Sequence, residues 1–543
     1  MNILASGPDD NPRAPAPTPE QQLFLDHLTA ALDSDTPRPD SLRLKGGPGT
    51  GKSWTIARAA AQAADRGWTV FLIGPTHQAT GVLAGAVPLA FPYEPDPART
   101  LEAGEILYCT AHRLGAWVQR SRARGAVAGM DNPVPRDSWL GRAFRPNWDN
   151  PPEGVLVIAD ETSMYPDQMV MALDSTVATF LRECGRAMLV SVGDPDQLPP
   201  VRGPHYDYMP GEGPETPSLL MARTEYRDIL LTRNVRAKTA VLRDVVETFR
   251  THRAVPVPPP GQTTYQWADW GDEFLHNWAD RVSESPDGSC VALAYRRAMV
   301  ATVNERLCQI LHNTSAADLA PDRVLRVQET YSPRETTLAA SSDLVDVRDV
   351  AELTDTQDVL RAIMPPEKGH APAHLPAVKD LVAQAIADEI AAGTLPVATV
   401  EVRGVRAGLL TQVPVSVSLG DDLTHSPTAA RWLALEGRLA HLAFRSRHAD
   451  GQIRRGLAAI YYHLADSARL KLEAPYAMTS HRSQGSTIPN VAVISDGPRG
   501  AAIVNSRSTV TRNASTYVML SRAAESLTIV WPAPYVADGP FSF

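Results

Sequence analysis

Short apolar runs alternate with helix-sized stretches through the first half of the chain. Leu42–Leu44, Val70–Ile73, Val155–Ile158 and Met188–Val192 are apolar almost throughout, and Ile229–Leu231 continues the pattern. Strands without polar alternation, separated by helical segments, predict a parallel sheet covered on both faces. A helix is predicted over Gln21–Leu32, where Leu23, Phe24, Leu28 and Leu32 recur at helical spacing. Residues 1–20, rich in Pro, Asp and Asn, read as a flexible, solvated lead-in. The run AVPVPPPGQ at Ala254–Gln262 marks a boundary or linker. Beyond it Cys290–Ala294 reads as a strand and Met299–His312 as a helix. The texture then changes. Val324–Val327, Thr399–Val402 and Val413–Val417 alternate or are β-branched, which suits a small β-rich domain. Val345–Ala392 is acidic, helix-prone and broken by Pro365-Pro366, and reads as an insertion. Ala429–Ser467 reads as an antiparallel pair of helices, and the parallel texture returns with Val491–Ile494 and Leu527–Val530. The expected class is α/β, with two similar parallel-sheet halves.

Composition adds bounds. With 543 residues, 43% apolar and 21% charged, the chain has material for several cores, and about 150 residues per domain suggests three or four domains. No apolar run approaches the roughly 18 residues of a membrane span, and residues 1–12 lack the basic, apolar and small-residue order of a secretory leader. A formal charge of −9 excludes a histone-like polycation but not a local basic groove. Cys109, Cys184, Cys290 and Cys308 are far apart with no C-x-x-C pair, so neither a zinc site nor a disulfide framework is expected, and a reducing cytoplasm is.

The chemistry begins at Gly46-Gly47-Pro48-Gly49-Thr50-Gly51-Lys52-Ser53, which lies between the strand Leu42–Leu44 and a helix over Trp54–Ala64. The glycines let backbone N–H groups converge on a phosphate, and the helix N-terminus adds a positive dipole end. Lys52 suits the β- and γ-phosphates of a nucleoside triphosphate and Ser53 suits Mg²⁺. A second strand ends in Asp160-Glu161, placing Asp160 for Mg²⁺ and Glu161 for polarising the attacking water. A third ends in GDPDQLPPV, where Gln197 can sense the γ-phosphate, although Gly-Asp-Pro-Asp also makes an ordinary β-turn.

GGPGTGKS, DETSM and GDPDQLPPV in this order resemble the first motor domain of superfamily 1 DNA helicases, most closely the 1B branch that contains RecD and the phage Dda-type enzymes. Further matches keep the family order. Thr18 to Gln21 resembles the adenine-reading motif. Pro75, Thr76 and His77, and then Thr110 to His112, resemble two DNA-contacting motifs. Leu231–Arg236 is similar to the motif whose last arginine, Arg236, reaches the triphosphate. The stretch from Ala477, with Thr479, His481, Gln484 and Gly485, resembles motif V, and Tyr517–Arg522 resembles motif VI with its arginine finger. Asp322–Tyr331 and the helical stretch before Ala477 resemble the Dda-type second-domain insert. The pattern departs at Arg296-Arg297, where relatives carry Thr-Asn.

The resemblance implies two RecA-like motor domains with ATP between them, and Arg236 and Arg522 in the second lobe. It divides the chain into a first motor domain over 21–230, with a pin-like element over about 112–150. The second motor domain follows over 231–320 and 470–543, interrupted at 321–469 by an SH3-like β-rich and helical subdomain. ATP and Mg²⁺ are the implied cofactors, with Gln21, the phosphate loop and Gly485 at the nucleotide. Lys52, Glu161, Gln197, Arg236 and Arg522 are the implied catalytic groups. Pro75, Thr76, His77, Thr110, His112, Thr479, His481 and Gln484 are implied at single-stranded or forked DNA. A monomer in the cytoplasm of a bacterium or phage-infected cell, acting in replication, recombination or repair, completes that expectation. Single-strand-binding protein or replisome components are its further partners.

Between His112 and Trp148 stand Arg113, Arg120, Arg122, Arg124, Arg136, Arg142 and Arg145 against Asp131 and Asp137. Trp117, Trp139, Phe144 and Trp148 are interleaved, which suits a single-strand path, or else a solvated arginine face over a small aromatic core. His77 and His112 fit base stacking and structural roles equally well. Three functions stay open: a helicase with 5′-to-3′ polarity, a translocase that displaces bound proteins, and a RecD-like structural subunit. A kinase or transporter ATPase leaves the motifs after residue 231 unexplained.

Overall fold

The structure is a computed structural model. It describes residues 16–532 except 88–89, 93–99, 112–113, 115–146, 149–151, 201–212, 214, 235–238, 286–287, 330, 332, 334–337, 340–341, 368–369, 404–407, 419–425, 446–449 and 501. The chain packs into two compact units. Among the described residues, one takes in those up to Pro256 together with Gln484–Thr487 and Val504–Glu525, and the other takes in those of Val257–Ser483, Ile488–Ile503 and from Ser526 on.

The first unit is built on a seven-stranded sheet. In spatial order its strands are Phe91–Pro92, Ile106–Thr110, Trp68–Gly74, Gly154–Ala159, Ala187–Gly193, Leu42–Gly46 and Arg227–Leu231. Every pairing is parallel. The central strands are buried along their whole length, as their apolar sequences require. Side chains alternate between the two faces. Leu42, Leu44, Val70, Leu72, Leu156 and Ile158 join one core with the helices Pro19–Leu32 and Lys52–Ala64. Phe71, Ile73, Val155 and Val157 join another with the helix Asp167–Cys184. Parallel strands bring all their carboxyl ends to one edge, where open α/β sheets bind ligands.

The second unit carries a five-stranded sheet, ordered Tyr265–Asp269, Ala523–Trp531, Ile488–Ile494, Cys290–Ala294, Ala477–Thr479. Cys290–Ala294 runs parallel to both of its neighbours. A closed five-stranded barrel follows, made of Val324–Val327, Leu344–Leu353, Leu395–Val402, Gly408–Ser418 and Leu470–Glu473. The helices Thr356–Ile363, Pro376–Ala392, Pro427–Ala440 and Gly451–Asp466 share a separate core around Val382, Trp432, Leu435 and Ile460. Glu389 is buried within this layer and held by Arg431 at 2.9 Å and Arg438 at 2.8 Å.

The expected α/β class, with two parallel sheets, a β-rich element and a helical pair, is the fold observed. One segment differs. The acidic stretch from Val345 begins as the strand Leu344–Leu353 rather than as a helix. Val345 and Val347 point into the barrel core, while Asp346 and Arg348 face outward and pair with Arg403 and Glu401. The charges of the outer face hide a period-two alternation that burial of the inner face reveals. Ile106–Thr110 is a further strand that the apolar pattern does not single out.

Candidate nucleotide and nucleic-acid site

The phosphate loop leaves the carboxyl end of Leu42–Gly46 and enters the helix Lys52–Ala64. Gly49 and Gly51 have φ of 76° and 86°, a left-handed backbone that favours glycine. At Gly46 an added Cβ would stand 2.6 Å from Thr50 Oγ1, so the close return of the loop also requires glycine. Lys52 donates to the carbonyls of Gly46 at 2.8 Å and Gly47 at 3.1 Å. Its ammonium is thus held inside the loop, where phosphate oxygens can replace the carbonyls as acceptors.

Gln21 braces this loop from outside. Its Oε1 accepts from Thr18 N at 2.9 Å, closing a capping box, and its Nε2 donates to Thr50 O at 3.2 Å. The Pro48 carbonyl accepts from Asn234 Nδ2 at 3.1 Å.

Asp160 and Glu161 follow the strand Gly154–Ala159 and are both buried. Burial pushes the Asp160 pKa up, the Glu161 carboxylate adds to this, and Lys52 opposes it. Glu161 has φ of 50°, left-handed for a residue with a side chain, and its buried Oε2 has no hydrogen-bond partner. Strain and an orphaned acceptor at one residue suit a group held ready for a ligand or water. Ser53 and Asp160 are hard oxygen donors on the same cavity, a set that fits Mg²⁺ completed by water and phosphate. Among the described residues no cluster of three His, Cys, Asp or Glu could hold a metal unaided.

The cavity holds about 190 Å³ and is lined by loop residues together with Trp54, Asp160, Glu161, Gln197, Gly485 and Arg522. The family resemblance implies a second-lobe position for Arg522, whereas in the structure residues 504–525 pack with the unit that carries the phosphate loop. The cause is local: Ala514 and Val518 of the helix Thr509–Leu520 bury against Leu198. Arg522 is 1% exposed and donates to Val518 O at 3.0 Å, Ser521 Oγ at 3.0 Å and Ser486 O at 3.3 Å. Burial pushes its pKa down, with Glu161 the first influence against this. A cation held by neutral acceptors beside a phosphate loop is prepared for an anion.

Two residues here carry no role in the motifs. Tyr517 donates to Asp194 Oδ2 at 3.0 Å, and its hydroxyl lies 3.1 Å from where a Cβ on Gly47 would stand. Burial, then the Asp194 carboxylate, pushes the Tyr517 pKa far up, so it stays a donor. Tyr517 lies within the motif VI match and Asp194 within GDPDQ, and only tertiary contact brings them together.

Gln484, grouped by resemblance with the DNA contacts, is instead buried against Gln197, to which its Nε2 donates at 2.9 Å. The left-handed Gly485, with φ of 82°, follows it along the cavity wall.

The other DNA-motif residues gather at strand ends within each unit. Gly74 is in register with Thr110 on adjacent parallel strands, so Pro75, Thr76 and Thr110 share one edge of the first sheet. Thr76 caps the helix His77–Ala86 by accepting from Ala79 N at 3.2 Å. Thr479 ends its strand beside Ala294 in the second sheet, and His481 follows it. Burial, then Arg297, pushes the His481 pKa down. Arg296, at the departure from the family pattern, pairs with Asp496 at 2.8 Å. Arg236, His112 and nearly all of the pin-like stretch lie outside the described residues, as does the His77 side chain. No described helix is long and apolar enough to cross a membrane.

No curated protein matches the sequence. Among solved structures the chain is similar to the Pif1 helicase from Candida albicans at 14% identity, with a TM-score of 0.44 and 95% of each chain covered. It is also similar to Pif1 helicase from Bacteroides in complex with ADP-AlF3 and ssDNA, at 15% identity and a TM-score of 0.46, covering 95% of this chain and 92% of that one. Residues 29–203, which carry Lys52, Asp160, Glu161 and Gln197, match the family model described as an AAA domain.

Proposed function

We propose that this protein is an ATP-dependent superfamily 1 DNA helicase that moves 5′ to 3′ along single-stranded DNA and parts duplexes ahead of it. One observation carries the reading. Arg522, far along the chain, is buried on the same cavity as Lys52, Asp160, Glu161 and Gln197. A simple nucleotide-binding fold needs the loop alone, and a scaffold needs none of these groups. A motor needs a cation, a water-orienting carboxylate and a sensing amide around one γ-phosphate.

In this reading Lys52 exchanges the Gly46 and Gly47 carbonyls for β- and γ-phosphate oxygens. Glu161 orients and polarises the attacking water through its free Oε2, and Arg522 neutralises charge developing on the transferred phosphoryl group. Mg²⁺ beside Ser53 and Asp160 would neutralise phosphate charge. Gln197 responds to the γ-phosphate. The strand-end residues Pro75, Thr76, Thr110, Thr479 and His481 meet the nucleic-acid strand. Placement in the 1B branch supplies the polarity, and a monomer acting in replication, recombination or repair fits it.

Partial duplexes with a 5′ or a 3′ single-stranded tail test the proposal. ATP-dependent strand release from the 5′-tailed substrate is expected. Preference for the 3′ tail overturns the polarity, and ATP hydrolysis on DNA without release favours a translocase that does not unwind.

A further inference from the structure

The helical layer beside the barrel carries a second feature that the nucleotide chemistry does not use. Pro427–Ala440 is extended by a wider turn of π type over His441–Arg445, and it leaves Phe444 48% exposed. Such wide turns occur often at functional positions because the extra residue redirects a side chain. On the next helix, Gly451–Asp466, Tyr462 is 50% exposed and Tyr461 is half-buried. The three rings form one cluster. Their centroids stand 5.4 Å apart for Phe444 and Tyr461, 5.9 Å for Phe444 and Tyr462, and 5.1 Å for Tyr461 and Tyr462. Tyr461 packs on the helical core and supports the two outer rings.

Positive charge outweighs negative along this stretch, although Asp466 follows Tyr462 by one helical turn. Between residues 438 and 463 the chain has arginines at 438, 445, 447, 454 and 455, and Asp450 is its single acidic residue, in a protein of net charge −9. Asp450 is used as a helix cap, accepting from Gln452 N at 2.7 Å, and Arg438 is tied to Glu389. Arg445, Arg454 and Arg455 are exposed and make no ion pair among the described residues. Seven residues are nearly two full helical turns, so Arg454 lies in line with Tyr461, and Arg455 with Tyr462, about 10.5 Å away along the axis. Exposed aromatic faces cost solvation, and the like charges of the consecutive Arg454 and Arg455 repel one another. An occupant that offers flat apolar rings joined by anionic links removes both penalties.

We propose that Phe444, Tyr461 and Tyr462 with Arg445, Arg454 and Arg455 form a second single-stranded DNA site on the helical layer. Bases stack on the outer rings and phosphates meet the arginines. This rests on the DNA reading above and adds to it a contact outside the two parallel sheets. Stacking tolerates any base, so the site serves a long strand of any sequence.

The test uses the full chain, fluorescein-labelled oligo(dT) of about 10 and about 40 nucleotides, and anisotropy titrations at several salt concentrations, lengths chosen around the site size of one binding module. Phe444→Ala/Tyr462→Ala is expected to weaken binding of the long oligonucleotide about tenfold and leave the short one bound as before. Arg454→Gln/Arg455→Gln is expected to lower the slope of log affinity against log salt by about 0.7 per arginine. ATP hydrolysis without DNA should be unchanged in both. Phe444→Leu/Tyr462→Leu keeps the packing without the flat faces and should reproduce the tenfold loss even if the alanine pair unfolds. Long-oligonucleotide binding that is unchanged in the leucine pair overturns the site while leaving the helicase reading intact. Failure of the unaltered protein to bind either oligonucleotide overturns the DNA reading itself.

Discussion

The Gln484 side chain donates to Oε1 of Gln197 across 2.9 Å in a buried contact. Gln197 turns its own Nε2 towards Asp194, at 3.4 Å, and Oε1 of Gln484 is left buried with no hydrogen-bond partner. An unsatisfied buried amide oxygen costs about 1–3 kcal/mol, so this contact is stable only where a donor completes it or the local packing holds it in place. The amides therefore form a relay from Asp194, through Gln197, to the residue that follows Ser483.

Gln484→Ala removes the relay and frees Gln197 to rotate. Hydrolysis is expected to slow about tenfold, the kinetic equivalent of one lost hydrogen bond of about 1.4 kcal/mol. Nucleotide affinity should change much less. Steady-state turnover beside titration with a fluorescent ATP analogue separates the two, and equal losses in both would remove the relay role.

Lys52→Ala leaves the Gly46 and Gly47 carbonyls without their donor and the phosphates without their cation. DNA-stimulated ATP hydrolysis should fall to background while circular dichroism stays native. Undiminished turnover would refute the phosphate-loop assignment.

Arg522→Ala should slow hydrolysis by about 10³-fold or more, the range known for charge-neutralising arginines, with a far smaller effect on nucleotide binding. Arg522→Lys keeps charge but not the planar fork and should recover little of the rate. Single-turnover kinetics at saturating ATP is the check, since a role confined to binding would disappear there.

Acid should loosen the helical layer. Burial, with the charge of His370 adding to it, holds the His463 pKa down at about 4 against 6.5 when unperturbed. Between those values the unfolded chain binds the proton and the folded chain does not. Stability from the neutral form is thus present above pH 6.5 and is lost as pH falls towards 4. Urea unfolding from pH 7 to pH 5, followed by fluorescence of the buried Trp432, should show falling stability with acid, and His463→Gln should flatten that dependence. An identical slope in the variant would assign the effect to other groups.

Much of this protein is written locally. The strand–glycine loop–helix of Gly46–Ser53, the paired carboxylates after an apolar strand and the period of the central strands are contiguous patterns, so they can be read from sequence alone. The Pro-rich stretch at Ala254–Gln262 likewise coincides with the change of compact unit at Pro256. Apolar periodicity states which face of an element is buried but not what it is buried against. Packing therefore decided that Val345–Leu353 is a barrel strand, that Gln21 braces Thr50, and that Gln484 meets Gln197. It also decided that Ala514 and Val518 carry Arg522 to the cavity of Lys52. Each of these depends on contacts between distant segments, whose free energy comes from burial in three dimensions and leaves no periodic trace along the chain.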